Sequence, residues 1–190
     1  MPLPKKNVRI HYAYNSWKNE AQWHTAKPSE LGWNENNSYN VTGAIFSNIG
    51  SWSTVRYLPM GMIENTDSGI TWFWQIKHNG SWYTEISNLP DESSYLYLGG
   101  PDAIHNNAWK NLLLGQSYQT VPVSLGCVKG GFDEAVEALT RYRRAMVIKP
   151  HTSYSQCLII FNDYMNCLSG DPSTEKEIPL IDAAAKAHCD

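Results

Sequence analysis

The densest collection of chemically capable side chains lies in a polar segment near the carboxyl end of the sequence. Residues 162–172 contain two carboxylates, two amides, a phenol and a thiol, in the order Asn162-Asp-Tyr-Met-Asn-Cys-Leu-Ser-Gly-Asp-Pro172. Asp163 is the first candidate because it follows an apolar run, and ligands gather at the carboxyl ends of strands in α/β folds. The alternative for Asp163 is a loop-capping acceptor, and Asp171 is expected to cap the following helix. Cys167 could be a nucleophile only beside a base, and the sequence identifies none.

The spacing of the cysteines and histidines does not indicate a metal, redox or cofactor site. The four cysteines form no C-x-x-C pair and the six histidines form no H-x-x-x-H or H-E-x-x-H pattern, so we expect buried free thiols, no metal site and no cofactor. With 15 basic and 18 acidic residues, neither nucleic acid nor an anionic membrane surface is an expected partner. No apolar stretch follows Lys5 and Lys6, so no signal segment is visible and a cytoplasmic location is favoured.

The polar segment must be positioned by the elements on either side of it. Gln156–Phe161 is a short apolar run, which predicts a buried parallel strand. Thr174–His188 predicts a helix, because Thr174 and Glu177 form a capping box and apolar residues recur at helical spacing. Strand, loop and helix make half of a βαβ unit. The sequence therefore predicts the first step of a larger α/β domain, cut off before the second strand.

A second helix is predicted upstream, over residues 132–150. Apolar residues recur there at steps of three and four, which marks one face of a helix. Acidic residues stand near its start and arginines near its end, as the helix dipole favours. The predicted apolar face consists of Phe132, Val136, Leu139, Tyr142 and Met146.

Residues 1–131 have the pattern of a β-sandwich of short strands separated by turn residues. The clearest signal is Asn79-Gly80 between two β-rich runs, which predicts a type I′ hairpin over residues 70–87. Pro59 predicts an edge strand or a bulge within residues 54–64. Residues 18–40 are polar and predict a long loop or a disrupted edge. Further strands are predicted over residues 8–14, 95–98 and 120–128.

The aromatic content has two interpretations. Eight tryptophans and 11 tyrosines suit an aromatic-rich β core, and flat exposed rings also suit the apolar faces of sugars. Composition does not choose between them, although a core role is favoured for Trp72, Trp74 and Trp82.

Several segments of the sequence resemble the retaining α-galactosidases of glycoside hydrolase family 36. The resemblance extends over most of the chain and rests on Gly50-Ser-Trp-Ser53, Tyr57-Leu-Pro-Met-Gly61, Trp72-Phe-Trp74, His78-Asn-Gly-Ser-Trp82, Tyr97-Leu-Gly-Gly-Pro-Asp102, Gly130-Gly-Phe132, Leu139-Thr-Arg-Tyr-Arg-Arg-Ala145, Asn162-Asp-Tyr-Met-Asn-Cys167, Gly170-Asp-Pro-Ser-Thr-Glu-Lys176 and Pro179-Leu-Ile-Asp-Ala-Ala-Ala185.

The resemblance implies a mainly β architecture with three parts. Residues 1–131 would be the later part of an antiparallel β-supersandwich, residues 132–150 a linking helix, and residues 151–190 the first strand and helix of a truncated (β/α)8 catalytic barrel. The implied activity is hydrolysis of terminal α-galactosyl residues. Both catalytic carboxylates of the family lie on later barrel strands, so the 190 residues alone are expected to be inactive.

The resemblance also implies a substrate-binding role for the end of the first barrel strand. Asn162, Asp163 and Tyr164 match a position where relatives place an aromatic residue of the galactose pocket, and Asn166 lies in the same loop. Ser169 departs from the tryptophan of close relatives, which removes a stacking ring. The implied substrate is an α-galactoside oligosaccharide, and a homo-oligomer is possible for the full-length protein.

Two alternatives belong to other functional classes. The β domain could be a non-catalytic carbohydrate-binding or assembly module that uses its sheets alone. The chain could also be a degenerate product without a function of its own.

Overall fold

The computed structural model describes residues 7–33, 43–52, 54–89, 93–146, 158–164 and 168–189. Within these ranges the fold is mainly antiparallel β, with eight strands in two sheets and few helices, so the prediction of a mainly β chain is confirmed. The strands are β1 (Val8–Ser16), β2 (Asn19–Ala26), β3 (Ala44–Asn48), β4 (Tyr57–Asn65), β5 (Ile70–Ile76), β6 (Trp82–Asn88), β7 (Ser94–Gly99) and β8 (Val123–Lys129). The helices are α1 (Ala103–Asn106), α2 (Phe132–Met146) and α3 (Thr174–Lys186), with a 3-10 turn at Pro28–Leu31.

The chain divides into two compact units, Met1–Tyr142 and Arg143–Asp190. The first unit contains both sheets. One has five strands in the order β2-β1-β4-β5-β8, and the other has three strands in the order β3-β6-β7. Every pairing between the described strands is antiparallel.

The main core of the first unit draws on both sheets. Alternate residues of each strand point to the same face, and the inward faces supply a cluster of mostly aromatic and branched side chains. Its buried members are Val8, Ile10, Trp33, Ala44, Phe46, Ile63, Trp74, Ile76, Trp82 and Ile86. Trp74 and Trp82 are therefore core residues, as the sequence favoured, while Trp72 is half-buried.

A second cluster lies on the opposite face of the five-stranded sheet, where α2 covers it. Met62 and Phe73 contact Ala135 and Leu139, with Phe132, Ala138 and Tyr142 at the margin. The helix is confirmed over 132–146, but its predicted apolar face is wrong in part. Val136 and Met146 are exposed, while Ala135 is buried. The observed stripe thus keeps Phe132, Leu139 and Tyr142 of the predicted face and has Ala135 and Ala138 in place of Val136 and Met146.

The predicted hairpin over residues 70–87 does not form. β5 belongs to the five-stranded sheet and β6 to the three-stranded sheet, so the chain crosses between sheets at residues 77–81. Neither Asn79 nor Gly80 takes the positive φ that a type I′ turn requires. The reason is burial: separating the two strands places Trp74 and Trp82 in one core from opposite sheets, which outweighs a local turn preference.

The hairpin that does form joins β4 to β5 through residues 66–69. Gly69 has φ +63°, a left-handed conformation that costs least at glycine. The Asn65 side-chain oxygen accepts hydrogen bonds from the backbone N–H groups of Asp67 and Ser68 at 3.0 and 3.2 Å, which is an Asx turn.

For two further segments of the β region the sequence offered alternatives, and the structure decides between them. Residues 18–40 were predicted as a long loop or a disrupted edge, and they contain β2, the edge strand beside β1, whose pairing has a register shift. Pro59 was predicted at an edge or a bulge, and it does not mark an edge, since β4 lies between β1 and β5. The bulge expected at Pro59 is confirmed, because the β1–β4 register shifts between the pairs Tyr12–Gly61 and Tyr14–Tyr57.

The second unit contains α3 and the segment that precedes it. The predicted helix is confirmed over Thr174–Lys186, with Pro179 inside it. The capping box predicted from Thr174 and Glu177 is wrong, because the N-cap is Ser173 and no side-chain capping bond forms there. The predicted strand is wrong for residues 158–161, which have no regular structure and whose side chains at 159–161 are exposed. An extended segment becomes a strand only when a neighbouring strand takes up its backbone hydrogen bonds, and no described strand pairs with these residues. Residues 156 and 157 lie outside the described ranges.

Among the described residues, no helix is both long enough and apolar enough to cross a membrane.

Candidate functional site

The polar segment and α3 form a groove of about 390 Å³ within the second unit. One wall comes from residues 160–163 and the other from α3. The lining residues are Ile160, Phe161, Asp163, Glu177, Leu180, Ile181, Ala184, Ala185 and Cys189. The groove is therefore an apolar trough with two carboxyl groups, and it contains the first candidate residue of the sequence analysis.

Asp163 and Glu177 both line the groove. Hydrogen bonding with the Asp163 side chain raises the pKa of Glu177, with smaller contributions from burial and from the charge of Asp163. The two carboxyl groups therefore interact within the groove.

The other predicted site residues shape the turn before α3. The Asn162 side-chain oxygen accepts the Tyr164 N–H at 2.9 Å, and the Ser169 N–H donates to the Tyr164 carbonyl at 2.6 Å. The Tyr164 side chain is exposed, and its ring lies beside Gly170, where an added Cβ would be 3.6 Å from the ring. Asn166 lies outside the described residues. Asn162, Asp163 and Tyr164 are thus gathered in one segment, with Tyr164 open to a ligand.

The prediction for Asp171 is wrong. The N-cap of α3 is Ser173, and the Asp171 carboxylate instead forms an ion pair with Lys176. Both side chains are exposed, so the pair contributes little to stability.

A second cluster, which sequence reasoning missed, lies on the outward face of the three-stranded sheet. Tyr83 and Tyr95 donate hydrogen bonds from their hydroxyl groups to the two oxygens of Glu85, at 2.7 and 2.6 Å. Burial and the bond to Glu85 raise the pKa of Tyr83, and the bond to Glu85 and burial raise that of Tyr95. Tyrosines alternating with other residues at 95 and 97 were the available signal, because alternate residues share one face of a strand.

The same face continues into α1, the short helix after β7. The imidazole of His105 stacks on Tyr83 with ring centroids 4.0 Å apart, and its Nδ1 lies 2.7 Å from Asp102 Oδ2. Hydrogen bonds from the His105 backbone and side chain hold the pKa of Asp102 below its usual range. Tyr97 adds an exposed ring. The outward face therefore presents an oriented imidazole beside a tyrosine ring.

We expect Glu85→Gln to lower the pH at which Tyr95 ionises. The pKa of Tyr95 is raised above 10.0 in the folded protein. The bond from Tyr95 to Glu85 therefore stabilises the fold below pH 10.0, and this stabilisation is lost as the pH rises through the raised pKa. The loss of a charged acceptor should also reduce the free energy of unfolding at pH 7 by about 1–3 kcal/mol. Tyrosinate absorbance and urea unfolding measure the two effects.

The matched control is Glu137→Gln, since Glu137 is an exposed carboxylate on α2. Glu137→Gln should change the free energy of unfolding by no more than about 0.5 kcal/mol. It should leave the pH at which Tyr95 ionises unchanged. Equal effects of the two substitutions would contradict the role assigned to Glu85.

A third group of polar side chains joins α2 to the five-stranded sheet. Lys77 Nζ and Ser124 Oγ both contact the Tyr142 hydroxyl, the latter at 2.9 Å. The bond from Lys77 makes the largest contribution to lowering the pKa of Tyr142, and the bond with Ser124 adds to it. The group anchors the helix on the ends of β5 and β8.

In the part of the chain that the structure describes, no three His, Cys, Asp or Glu side chains are placed to hold a metal ion. The two cysteines described, Cys127 and Cys189, carry free thiols. Cys127 is exposed, so the expectation of a buried thiol is wrong for it.

No protein-family model and no curated protein matches this chain.

Proposed function

We propose that these 190 residues form part of a retaining α-galactosidase of glycoside hydrolase family 36. The observation that carries the proposal is the order in which the resembling segments fall on the observed elements. The motifs of the family's β domain lie on β4, β5, the crossing to β6 and the end of β7. Those of the linking helix lie on α2, and those of the barrel start lie on the polar segment and α3.

The two-sheet antiparallel core supports assignment of the first unit to the family's β-supersandwich. α2 would be the linking helix. In the proposed enzyme, Gln156–Phe161 becomes the first barrel strand when the next strand pairs with it, which would bury the side chains at 159–161 that are exposed here. α3 would be the first barrel helix, with part of its exposed apolar side, Ile178 and Ile181, against later barrel elements.

The proposed chemistry divides between these residues and the rest of the enzyme. The nucleophile and the general acid would both lie on later barrel strands, about 5–5.5 Å apart. Asp163 would accept hydrogen bonds from sugar hydroxyl groups, and Tyr164 would offer an exposed ring to the sugar face. Asn162 would orient Tyr164 through its bond to the backbone, and Asn166 is proposed to belong to the same site.

The test compares the 190-residue chain with the complete reading frame that contains it. Release of nitrophenol from a nitrophenyl α-galactoside is expected from the longer protein and not from the 190 residues alone. Absence of turnover by the longer protein would overturn the proposal. Turnover by the shorter chain would contradict the location of the catalytic carboxylates.

Within the active protein, Asp163→Asn is expected to lower kcat/KM roughly 10- to 100-fold, the effect of weakening a charge-assisted hydrogen bond to substrate. The matched control is Asp171→Asn, an exposed carboxylate of the same segment, which should leave kcat/KM within about threefold of the original value. Equal losses of kcat/KM from both substitutions would show that Asp163 does not belong to the binding site.

A second candidate function is carbohydrate binding by the first unit alone. Burial of Trp74 and Trp82 removes two of the three tryptophan rings considered for it, and Trp72 is half-buried. The outward face of the three-stranded sheet offers the rings of Tyr97 and His105 instead. Saturable binding of galactosides to the 190-residue chain, measured by calorimetry and lost in Tyr97→Ala, would support it. Binding that survives Tyr97→Ala would contradict carbohydrate binding at this face.

A further inference from the structure

The Asn79-Gly80 pair does not have the role that its sequence indicates. It is the only Asn-Gly pair in the sequence, and such a pair favours a type I′ hairpin, which this chain does not form here. The pair lies instead in the crossing from β5 to β6, where residues 77–81 belong to no helix or strand. Hairpin formation therefore does not explain these two residues.

The middle of the crossing is free of hydrogen bonds to the described part of the chain. Ser81 anchors the end of the crossing, because its Oγ accepts the Gly50 N–H at 2.9 Å. Residues 78–80 make no hydrogen bond with any residue that the structure describes, and the Asn79 side chain is exposed. The Asn79 amide and the Gly80 nitrogen can thus react with each other without breaking a described bond of the fold.

The reaction open to this pair is ring closure between neighbouring residues. The side-chain carbon Cγ of an asparagine lies close to the backbone nitrogen of the next residue, and proximity of this kind replaces a collision in solution. A Cβ on the next residue excludes many of the backbone conformations in which the two atoms meet. Gly80 has no Cβ, so this steric restriction is absent.

A base lies beside the nitrogen that must attack. The His78 ring is turned toward Gly80, since a Cβ built on Gly80 would lie 2.8 Å from His78 Nε2 and 3.5 Å from its Cδ2. A neutral imidazole has one nitrogen that accepts a proton, and histidine is the side chain that most often serves as a general base. The His78 ring is therefore placed to take the proton that the Gly80 nitrogen loses.

We propose that Asn79 is a site of succinimide formation and deamidation in the folded protein, with His78 as the base. The Gly80 nitrogen forms a bond to Cγ of Asn79 and gives its proton to His78. The bond from Cγ to the side-chain nitrogen then breaks, and this nitrogen leaves as ammonia with the proton returned from His78. Water opens the succinimide at either carbonyl, which leaves aspartate or isoaspartate at position 79. The proposal is independent of the α-galactosidase assignment.

The product changes the crossing but not the sheets. Both acids add a negative charge, and isoaspartate also lengthens the main chain by one carbon atom. Residues 78–80 lie outside the strand pairings of both sheets, so these pairings should survive either change. The modified protein is expected to stay folded, and the acid forms should therefore accumulate as the protein ages.

The first test follows the purified 190-residue chain during incubation at neutral pH, by peptide mass spectrometry with fragmentation. The mass change from amide to acid is expected at Asn79, as two products that have the same mass and separate by chromatography. Asn107 is the control within the same chain, because it is also exposed. The residue after it, Ala108, has a Cβ and donates its N–H to the Asp102 carbonyl at 2.9 Å. Asn107 should remain unchanged while Asn79 reacts.

Two variants test the parts assigned to the neighbours of Asn79. Gly80→Ala should slow the reaction about tenfold or more, since the added methyl group restricts the approach of the nitrogen to Cγ. His78→Ala should slow it roughly tenfold, which is less than the usual gain from a general base because water also accepts the proton. Added imidazole should restore part of the rate in His78→Ala. The matched control is His188→Ala, an exposed histidine of the second unit, which should leave the rate unchanged.

A synthetic peptide with the sequence of residues 74–84 supplies the rate in the absence of tertiary structure. The folded chain is expected to react at least as fast as this peptide, because the fold leaves the pair exposed and sets the imidazole beside it. Circular dichroism before and after incubation establishes that the chain stays folded. Any of three results would overturn the proposal: an unchanged mass at Asn79, a folded chain that reacts more slowly than the peptide, or a rate that His78→Ala does not alter.

Discussion

Replacement of Trp82 by alanine is expected to lower the free energy of unfolding of the first unit by about 3–5 kcal/mol, the usual cost of removing a large aromatic side chain from a core. Trp82 is 1% exposed and belongs to the cluster that both sheets share. Its removal would leave a cavity between the sheets that neither backbone can close. Urea unfolding followed by far-ultraviolet circular dichroism measures the change.

The control for Trp82 is Trp52→Ala. Trp52 is exposed, so its loss should change the free energy of unfolding by less than about 0.5 kcal/mol. The same pair of variants separates the two interpretations of the aromatic content. A Trp82→Ala protein that kept its stability but lost galactoside binding would show that the core assignment is wrong.

Leu139→Asp on α2 is expected to cost about 4 kcal/mol or more, because it removes a buried apolar side chain and places an unpaired carboxylate against Met62 and Phe73. The effect should be strongest near neutral pH, where the new carboxylate is charged, and smaller when it is protonated in acid. Urea unfolding at pH 7 and at pH 4 checks both parts.

Val136→Asp is the matched control for Leu139→Asp. The helical pattern placed both residues on the same apolar face, but the structure leaves Val136 exposed and Leu139 buried. Introduction of the same charge at Val136 should therefore cost less than about 1 kcal/mol. If the two substitutions are equally damaging, the orientation of α2 on the sheet is wrong.

The contrast between the exposed Val136 and the buried Leu139 shows how far a periodic pattern determines the orientation of a helix. The steps of three and four predicted α2 and its dipole-matched ends correctly, because those features depend on neighbours along the chain. The pattern could not decide between Val136 and Ala135 for the buried stripe. That choice depends on where Met62 and Phe73 stand on the sheet, which no property of residues 132–146 specifies.

The candidate site divides in the same way. The polar segment was recognisable because its residue types are concentrated within a few positions. Its contact with Glu177 depends on how α3 lies against residues 160–163, and the sequence assigned Glu177 only to a capping box. The cluster around Glu85 joins residues from two strands and from α1 after β7, so it exists only once β6 and β7 are in register.

By itself the sequence determined the mainly β class, α2 and α3, the bulge at Pro59 and the concentration of polar residues before α3, since each depends on residues close together in the chain. Tertiary structure alone decided that β5 and β6 belong to different sheets, against the turn preference of Asn79-Gly80. It also decided that β2 forms along β1 and that residues 158–161 do not form a strand. The physical reason is common to these cases: a strand exists only through hydrogen bonds and burial supplied by distant residues, and those contributions outweigh local preference.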